Sequence, residues 1–134
     1  MTAARPNRTP RLVIVESPYA GDIEANVAYA RRAIRDCLSR GEAPIASHLL
    51  FTQPGILRDD KPEERSLGIR AGHAWIAAAD AVVVYQDRGI SAGMKAGIDA
   101  AVCCGVPVEY RTIHDMIEAL SAALDDALGG EGDG

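Results

Sequence analysis

The sequence predicts a single three-layer α/β domain with a parallel sheet of four to five strands and helices on both faces. Three observations predict it. Short apolar runs rich in β-branched residues alternate with amphipathic segments four times over. Most of the runs read as strands buried on both faces, as in a parallel sheet. The chain is 134 residues long, one domain's worth, with 48% hydrophobic and 25% charged residues, enough to bury a core.

The first run is Leu12-Val13-Ile14-Val15, broken by Ser17-Pro18-Tyr19-Ala20-Gly21. Asp22 then suits an N-cap, and Ile23, Val27, Ala30, Ile34, Cys37 and Leu38 form a helical stripe ending at Gly41. Pro44-Ile45-Ala46 is a weaker strand whose end carries His48. The segment from Leu49 to Asp60 reads as a long loop of functional type, with room for one helical turn. Pro62 opens a helix with Leu67, Ala71, Trp75 and Ala78 as its buried stripe. Asp80 to Tyr85 is the clearest strand; Ser91 caps a helix with Met94, Ile98 and Ala101 facing inward and Gly105 stopping it. Val106 to Tyr110 is the last strand, and its proline suits a strand start or a sheet edge. Thr112 with Asp115 resembles a capping box before a helix striped by Ile113, Ile117, Leu120 and Leu124. Residues 1–10 read as a flexible N-terminus, 11–128 as the domain and 129–134 as a flexible tail. With the first strand central, right-handed crossovers give the order 2-1-3-4.

Charge and composition narrow the function classes. A formal net charge of −5 argues against a nucleic-acid polymer as partner, while leaving room for one nucleotide. No stretch of about 18 apolar residues exists for a membrane span, and no signal-like apolar region opens the chain, so a cytoplasmic location is expected. The three cysteines, Cys37, Cys103 and Cys104, lack metal-binding spacing and read as small apolar fillers in a reducing compartment. Neither a metal nor a cofactor is expected.

Ligands of open parallel sheets bind beyond the carboxyl ends of the strands, where the connections change direction. That rule selects the loops at 16–22, 47–60 and 86–93, and the one after Tyr110. Each candidate there has two readings. Glu16, at the mouth of the central strand, is either partnered by an arginine or backbone amides, or it is a working carboxylate. Tyr19 either stacks on a base or sugar or anchors its loop. His48 is a satisfied structural histidine or a ligand contact. Asp87 and Arg88 form a local ion pair, or Arg88 meets a phosphate. Ser91 with Gly93 is a plain helix cap or an anion cradle, and no P-loop or dinucleotide fingerprint is present.

Taken together, these loops resemble one family. Ser17-Pro18-Tyr19-Ala20-Gly21-Asp22, the strand Asp80–Tyr85 followed by Gly89-Ile90-Ser91-Ala92-Gly93-Met94, and Ala46–Gln53 resemble the ligand loops of the nucleoside 2-deoxyribosyltransferase-like proteins, in small bacterial and phage-type form. The match covers roughly residues 11 to 111. The resemblance implies a flavodoxin-like (Rossmann-like) sheet and N-glycosidic bond chemistry on a small nucleoside or nucleoside monophosphate, by hydrolysis or deoxyribosyl transfer. It implies that Ser91 and Gly93 help hold the sugar or its 5′-phosphate, and a homo-oligomer; Ser17, Tyr19, Gly21, His48, Asp87, Arg88 and Met94 join them as substrate-contact candidates by their place in these loops.

In that family a glutamate on the helix after the third strand attacks the sugar C1′. Here Gly97 stands in its place. Two replacements are available: Glu16 from the first strand, and Asp99, which two residues of helix turn to a different face. The alternative is a non-catalytic nucleotide-binding or sequestering protein on the same fold. A flavin-binding or signalling module is a weaker third reading, because the chain lacks clustered acidic residues and has few aromatics.

Overall fold

The computed structural model describes residues 9–113 together with 124, 127 and 128. Its sheet holds β1 (Leu12–Glu16), β2 (Ala43–Ile45), β3 (Ala81–Tyr85) and β4 (Val108–Arg111). All pairings are parallel and the order is β2-β1-β3-β4, as the strand–helix alternation predicts. The helices are α1 (Ile23–Ser39), α2 (Ser47–Leu50), α3 (Pro62–Ile76) and α4 (Ala92–Cys103). The expected cap at Asp115 and the helical stripe at Ile117 and Leu120 lie outside the described residues, as do positions 1–8 and 129–134.

Two cores flank the sheet. Val13, Val15, Ala81, Val83 and Tyr85 pack with Tyr29, Ala33 and Cys37 of α1. Ile14, Val82 and Val84 pack with Ile76 of α3 and with Met94 and Ala101 of α4. The two-residue period of a strand explains this division and has one further consequence. On β1, Val13 and Val15 face α1, so Ile14 and Glu16 face α3 and α4. The last residue of the central strand therefore delivers a carboxyl group to the α4 side.

Several expected details differ in the structure. Leu67 and Trp75 are about half exposed, and α3 instead buries Gly72 and Ile76. The physical reason is close approach: glycines at 68 and 72 let α3 lie against the 47–57 segment, which turns the bulky stripe outward. On α1, Ile23 and Leu38 are exposed, while Asn26, Tyr29, Ala33 and Asp36 are buried. The polar members of that face are hydrogen-bonded: Asp36 accepts from the Tyr85 hydroxyl at 2.6 Å. Cys103 and Cys104 are exposed at the end of α4 rather than filling the core; Cys37 is buried. His48 lies within α2, because the chain turns helical directly after Ala46 instead of extending the strand. Among the described residues no helix is long and apolar enough to cross a membrane.

A Cβ placed on Gly72 collides with the Ser47 side chain, its Cβ lying 2.9 Å away. Gly72→Ala is therefore expected to destabilise the fold by roughly 1–3 kcal/mol, as overpacking does. The added Ser47→Gly change should remove most of that cost. Urea denaturation of the two variants checks both outcomes.

Candidate functional site

The carboxyl ends of β1 and β3, the start of α4, α2 and the outer half of α3 enclose a cavity of about 240 Å³. Its volume lies just below the roughly 300–1,000 Å³ of typical small-molecule pockets, so it suits a compound of one or two rings. The inner wall is made by Glu16, Ser17, Tyr19 and His48 with Ser91, Gly93 and Met94. The opposite wall, from α2 to α3, adds Ser47, Phe51, Leu57, Asp59, Glu64, Arg65 and His73. Arg65 and Ile69 are exposed, which leaves this wall open to solvent.

Glu16 is the focus of the inner wall. Among the described residues its carboxyl has no hydrogen-bond or ion-pair partner. Burial alone pushes its pKa up to about 8, so most of it is protonated at pH 7. The group lies directly on the backbone of α4: a Cβ placed on Gly97 would meet the Glu16 carboxyl carbon at 2.5 Å and Oε2 at 2.8 Å. Gly97 is buried on the same helix face as Met94 and Ala101. The missing side chain at 97 and the carboxyl of Glu16 thus occupy one volume.

Ser17 and His48 form the second polar feature. The Ser17 Oγ lies 2.7 Å from His48 Nε2, and the proton between them belongs to either group according to the ring tautomer. Burial lowers the His48 pKa to about 4, so the ring is neutral at physiological pH. Tyr19 meets His48 edge to face, with ring centroids 6.5 Å apart. Beneath this group Asn26 donates from Nδ2 to the carbonyls of Tyr19 and Ala20, which fixes the loop that leaves β1. Gly21, at φ +98°, supplies the left-handed turn into the Asp22 cap and does not line the cavity.

The remaining candidates fall into two groups. Ser91 caps α4: its Oγ accepts from Met94 N at 3.3 Å, and its own N–H points to Met94 Sδ at 3.4 Å. Ser91, Gly93 and Met94 all line the cavity as well. Asp87, Arg88 and Asp99 do not. Asp87 Oδ2 accepts from the Tyr29 hydroxyl at 2.5 Å and from Ile113 N at 2.8 Å, tying the end of β3 to α1. Arg88 donates from Nε to Asn26 Oδ1 at 2.9 Å, joining the loop after β3 to α1. Asp99 is exposed on the outer face of α4. The loop rule selected the 47–60 part of the far wall, and the α3 part went unnoticed in the sequence. Asp59, Glu64 and Arg65 look there like an ordinary solvated helix start, and only the packing of α2 on α3 aims them at Glu16's side of the cleft. Among the described residues no cluster of histidine, cysteine and acidic side chains could hold a metal ion.

The raised pKa of Glu16 has a thermodynamic signature. A carboxyl whose folded pKa exceeds its unfolded value lets stability fall as pH rises from about 4.5 to about 8. Glu16→Gln is therefore expected to match the parent below pH 4.5 and to melt at a progressively higher temperature than the parent up to pH 8. Calorimetry across that range checks the sign. A carboxyl resonance of residue 16 titrating near pH 8 by NMR checks the cause.

Comparison with known proteins completes the description. A crystallised 2-deoxyribosyltransferase from Bacillus psychrosaccharolyticus is similar in fold, with a TM-score of 0.54 at 18% identity, over 76% of this chain and 72% of that one. At that identity the likeness speaks for the α/β fold. No curated protein matches the sequence. Residues 11–111, from the start of β1 to the end of β4, match the model of a family described only as a domain of unknown function, DUF7768. The four strands, the cavity at their carboxyl ends and the Glu16–Gly97 contact all fall inside the matched stretch, and the chain belongs to the DUF7768 family.

Proposed function

We propose that this protein cleaves the N-glycosidic bond of a small nucleoside, with Glu16 as the working carboxylate. The observation that carries the reading is the Glu16 carboxyl, half-buried and without a partner among the described residues, at the floor of a cavity of nucleoside size. Leaving a carboxyl group out of water without a partner costs stability, and such groups concentrate where chemistry needs them. The fold shared with a 2-deoxyribosyltransferase supports the same class of substrate.

In this reading the ionised Glu16 attacks C1′ of the sugar. A carbon–oxygen bond forms as the C1′–N bond breaks, and its electron pair departs on the base, which takes a proton from water entering at the open wall. Water, or the nitrogen of a second base, then attacks C1′ and releases the carboxylate. The buried carboxylate also lies where it offsets the positive charge that develops on the sugar ring. Ser17, held by His48, and Tyr19 contact sugar or base beside it.

The charges around the cavity favour a nucleoside over its 5′-phosphate. Its described ionisable groups include the carboxyls of Asp59 and Glu64, and its arginine, Arg65, stands 3.9 Å from Asp59. The two helix starts at this edge are already capped, α1 by the Asp22 carboxyl and α4 by Ser91. A phosphate dianion gains little there.

A second reading, binding without turnover, draws on one observation: at neutral pH most of Glu16 carries its proton and is then no nucleophile. It predicts a nucleoside that raises the melting temperature and is recovered intact.

Incubation with the common ribo- and deoxyribonucleosides and their 5′-monophosphates, followed by chromatography, separates these readings. Base release is expected from a nucleoside, faster than from the matching monophosphate. Its kcat/KM should rise with pH toward a plateau above about 8. Glu16→Gln should lower kcat by at least about 100-fold. Release that instead declines through pH 8 would make Glu16 a proton donor, and no release from any compound at micromolar protein would reject the enzymatic reading.

A further inference from the structure

A carboxyl group at the end of a strand normally points to solvent or to a cation. Glu16 instead lies half-buried in the cavity floor with no cation partner among the described residues, and what admits it there is a feature of the neighbouring helix. Position 97 is on the buried face of α4, in the middle of the helix, where glycine is a poor helix former and alanine would be the ordinary choice. Gly97 has no positive φ that would call for glycine on conformational grounds. The relation is spatial: a Cβ at 97 would begin where the Glu16 carboxyl lies, so that carboxyl, the end of a flexible side chain, would have to leave its place. By contrast, a Cβ on Gly93, one turn earlier on the same helix, would meet only Ser91 Oγ, at an ordinary 3.9 Å.

We infer that Gly97 is a positioning residue for the reaction proposed above: its bare backbone is the seat of the Glu16 carboxyl, so the acidic group of this site is delivered by the central strand into space left open by the helix. The inference rests on the proposed reaction for its functional meaning. The seat itself rests on geometry alone. The side chain must run from β1 to the α4 backbone, and Ile14, two residues earlier on the same face, is already packed in the core between these elements. Filling the seat therefore leaves the carboxyl one way out, toward the open cavity and its water. The Cα–Cβ direction at 97 points into the same spot, so a glutamate at 97 would start from it and carry its carboxyl two bonds beyond, approaching from the helix side.

The test uses the full chain in four forms: the parent, Gly97→Ala, Glu16→Ala and the double change. Stability is expected to show strong coupling. Gly97→Ala should be neutral or stabilising once residue 16 is alanine, as the better helix former, and in the parent its effect should differ and grow more favourable from pH 4.5 to 8, where moving the carboxyl into water relieves its desolvation. The Glu16 carboxyl, followed by NMR in Gly97→Ala, should titrate well below its parental value near pH 8 as it gains water. On a nucleoside that the parent cleaves, Gly97→Ala should lose kcat by at least about tenfold with KM changed much less, since the reacting group is displaced while the walls are kept. Its pH profile should shift to lower pH with the titration. Glu16→Ala combined with Gly97→Glu should recover part of the activity lost in Glu16→Ala.

An equal, pH-independent effect of Gly97→Ala in both backgrounds, with an unmoved Glu16 titration, would overturn the inference. So would an unchanged kcat and pH profile in Gly97→Ala. If the parent cleaves no nucleoside, the proposed reaction fails, and the stability coupling and the titration still decide whether Gly97 seats the carboxyl. If Gly97→Ala alone does not fold, folding of the double change supports the seat, and failure of both overturns it.

Discussion

A half-buried carboxyl group without a partner among the described residues is the constraint around which this molecule is organised. The contrast within the same chain is instructive. Glu42, more deeply buried than Glu16, is met by the guanidinium of Arg111 at 2.7 Å and that of Arg11 at 2.8 Å. The hydrogen bond from Arg111 does most to hold its pKa down to about 2. Glu109 joins the same network through both arginines. The chain thus has the means to pair a buried acid and uses them at the other end of β1. Glu16 receives no such help among the described residues, and desolvation alone raises its pKa. The difference marks Glu42 as part of the fold's electrostatic frame and Glu16 as a group kept available.

The surrounding architecture serves that availability. Strand alternation turns Glu16 toward α4, Gly97 makes room for it, and Gly68 and Gly72 draw α3 against the 47–57 segment to close the other side of the cavity. The loops that frame the cavity are locked from below. Asn26 on α1 holds the backbone after β1 and receives Arg88 from the loop after β3, while Asp87 takes the Tyr29 hydroxyl. Charged residues that sit in ligand-type loops here act as struts, leaving the cavity floor to a neutral histidine, hydroxyl groups and one protonated acid. A floor of this kind suits a polar, uncharged ligand such as a nucleoside sugar.

Much of this was legible in the sequence, for identifiable reasons. The strands β1 and β3 are runs of β-branched residues, Asp22 and Ser91 cap α1 and α4, and Pro62 takes the first position of α3. Local signals of that kind survive folding. Alternation gave the sheet order, and the loop rule selected Glu16, Ser17, Tyr19, His48 and Ser91, all of which line the cavity. What escaped depends on packing between distant elements. Leu67 and Trp75 keep helical spacing with the apolar residues of α3, yet the face that packs is decided by glycines that carry no hydrophobic signal. Gly97 reads in sequence as the loss of a group. Only when β1 and α4 are placed side by side does it become the space that another group fills.

The most direct test of the account is a crystal structure of the Glu16→Gln protein with a nucleoside bound. The account requires the sugar to sit over the α4 backbone at Gly97, with C1′ about 3–3.5 Å from the residue-16 side chain and the base between Tyr19 and the α3 wall. A nucleoside bound elsewhere, or one whose C1′ faces away from residue 16 across the cavity, would contradict it.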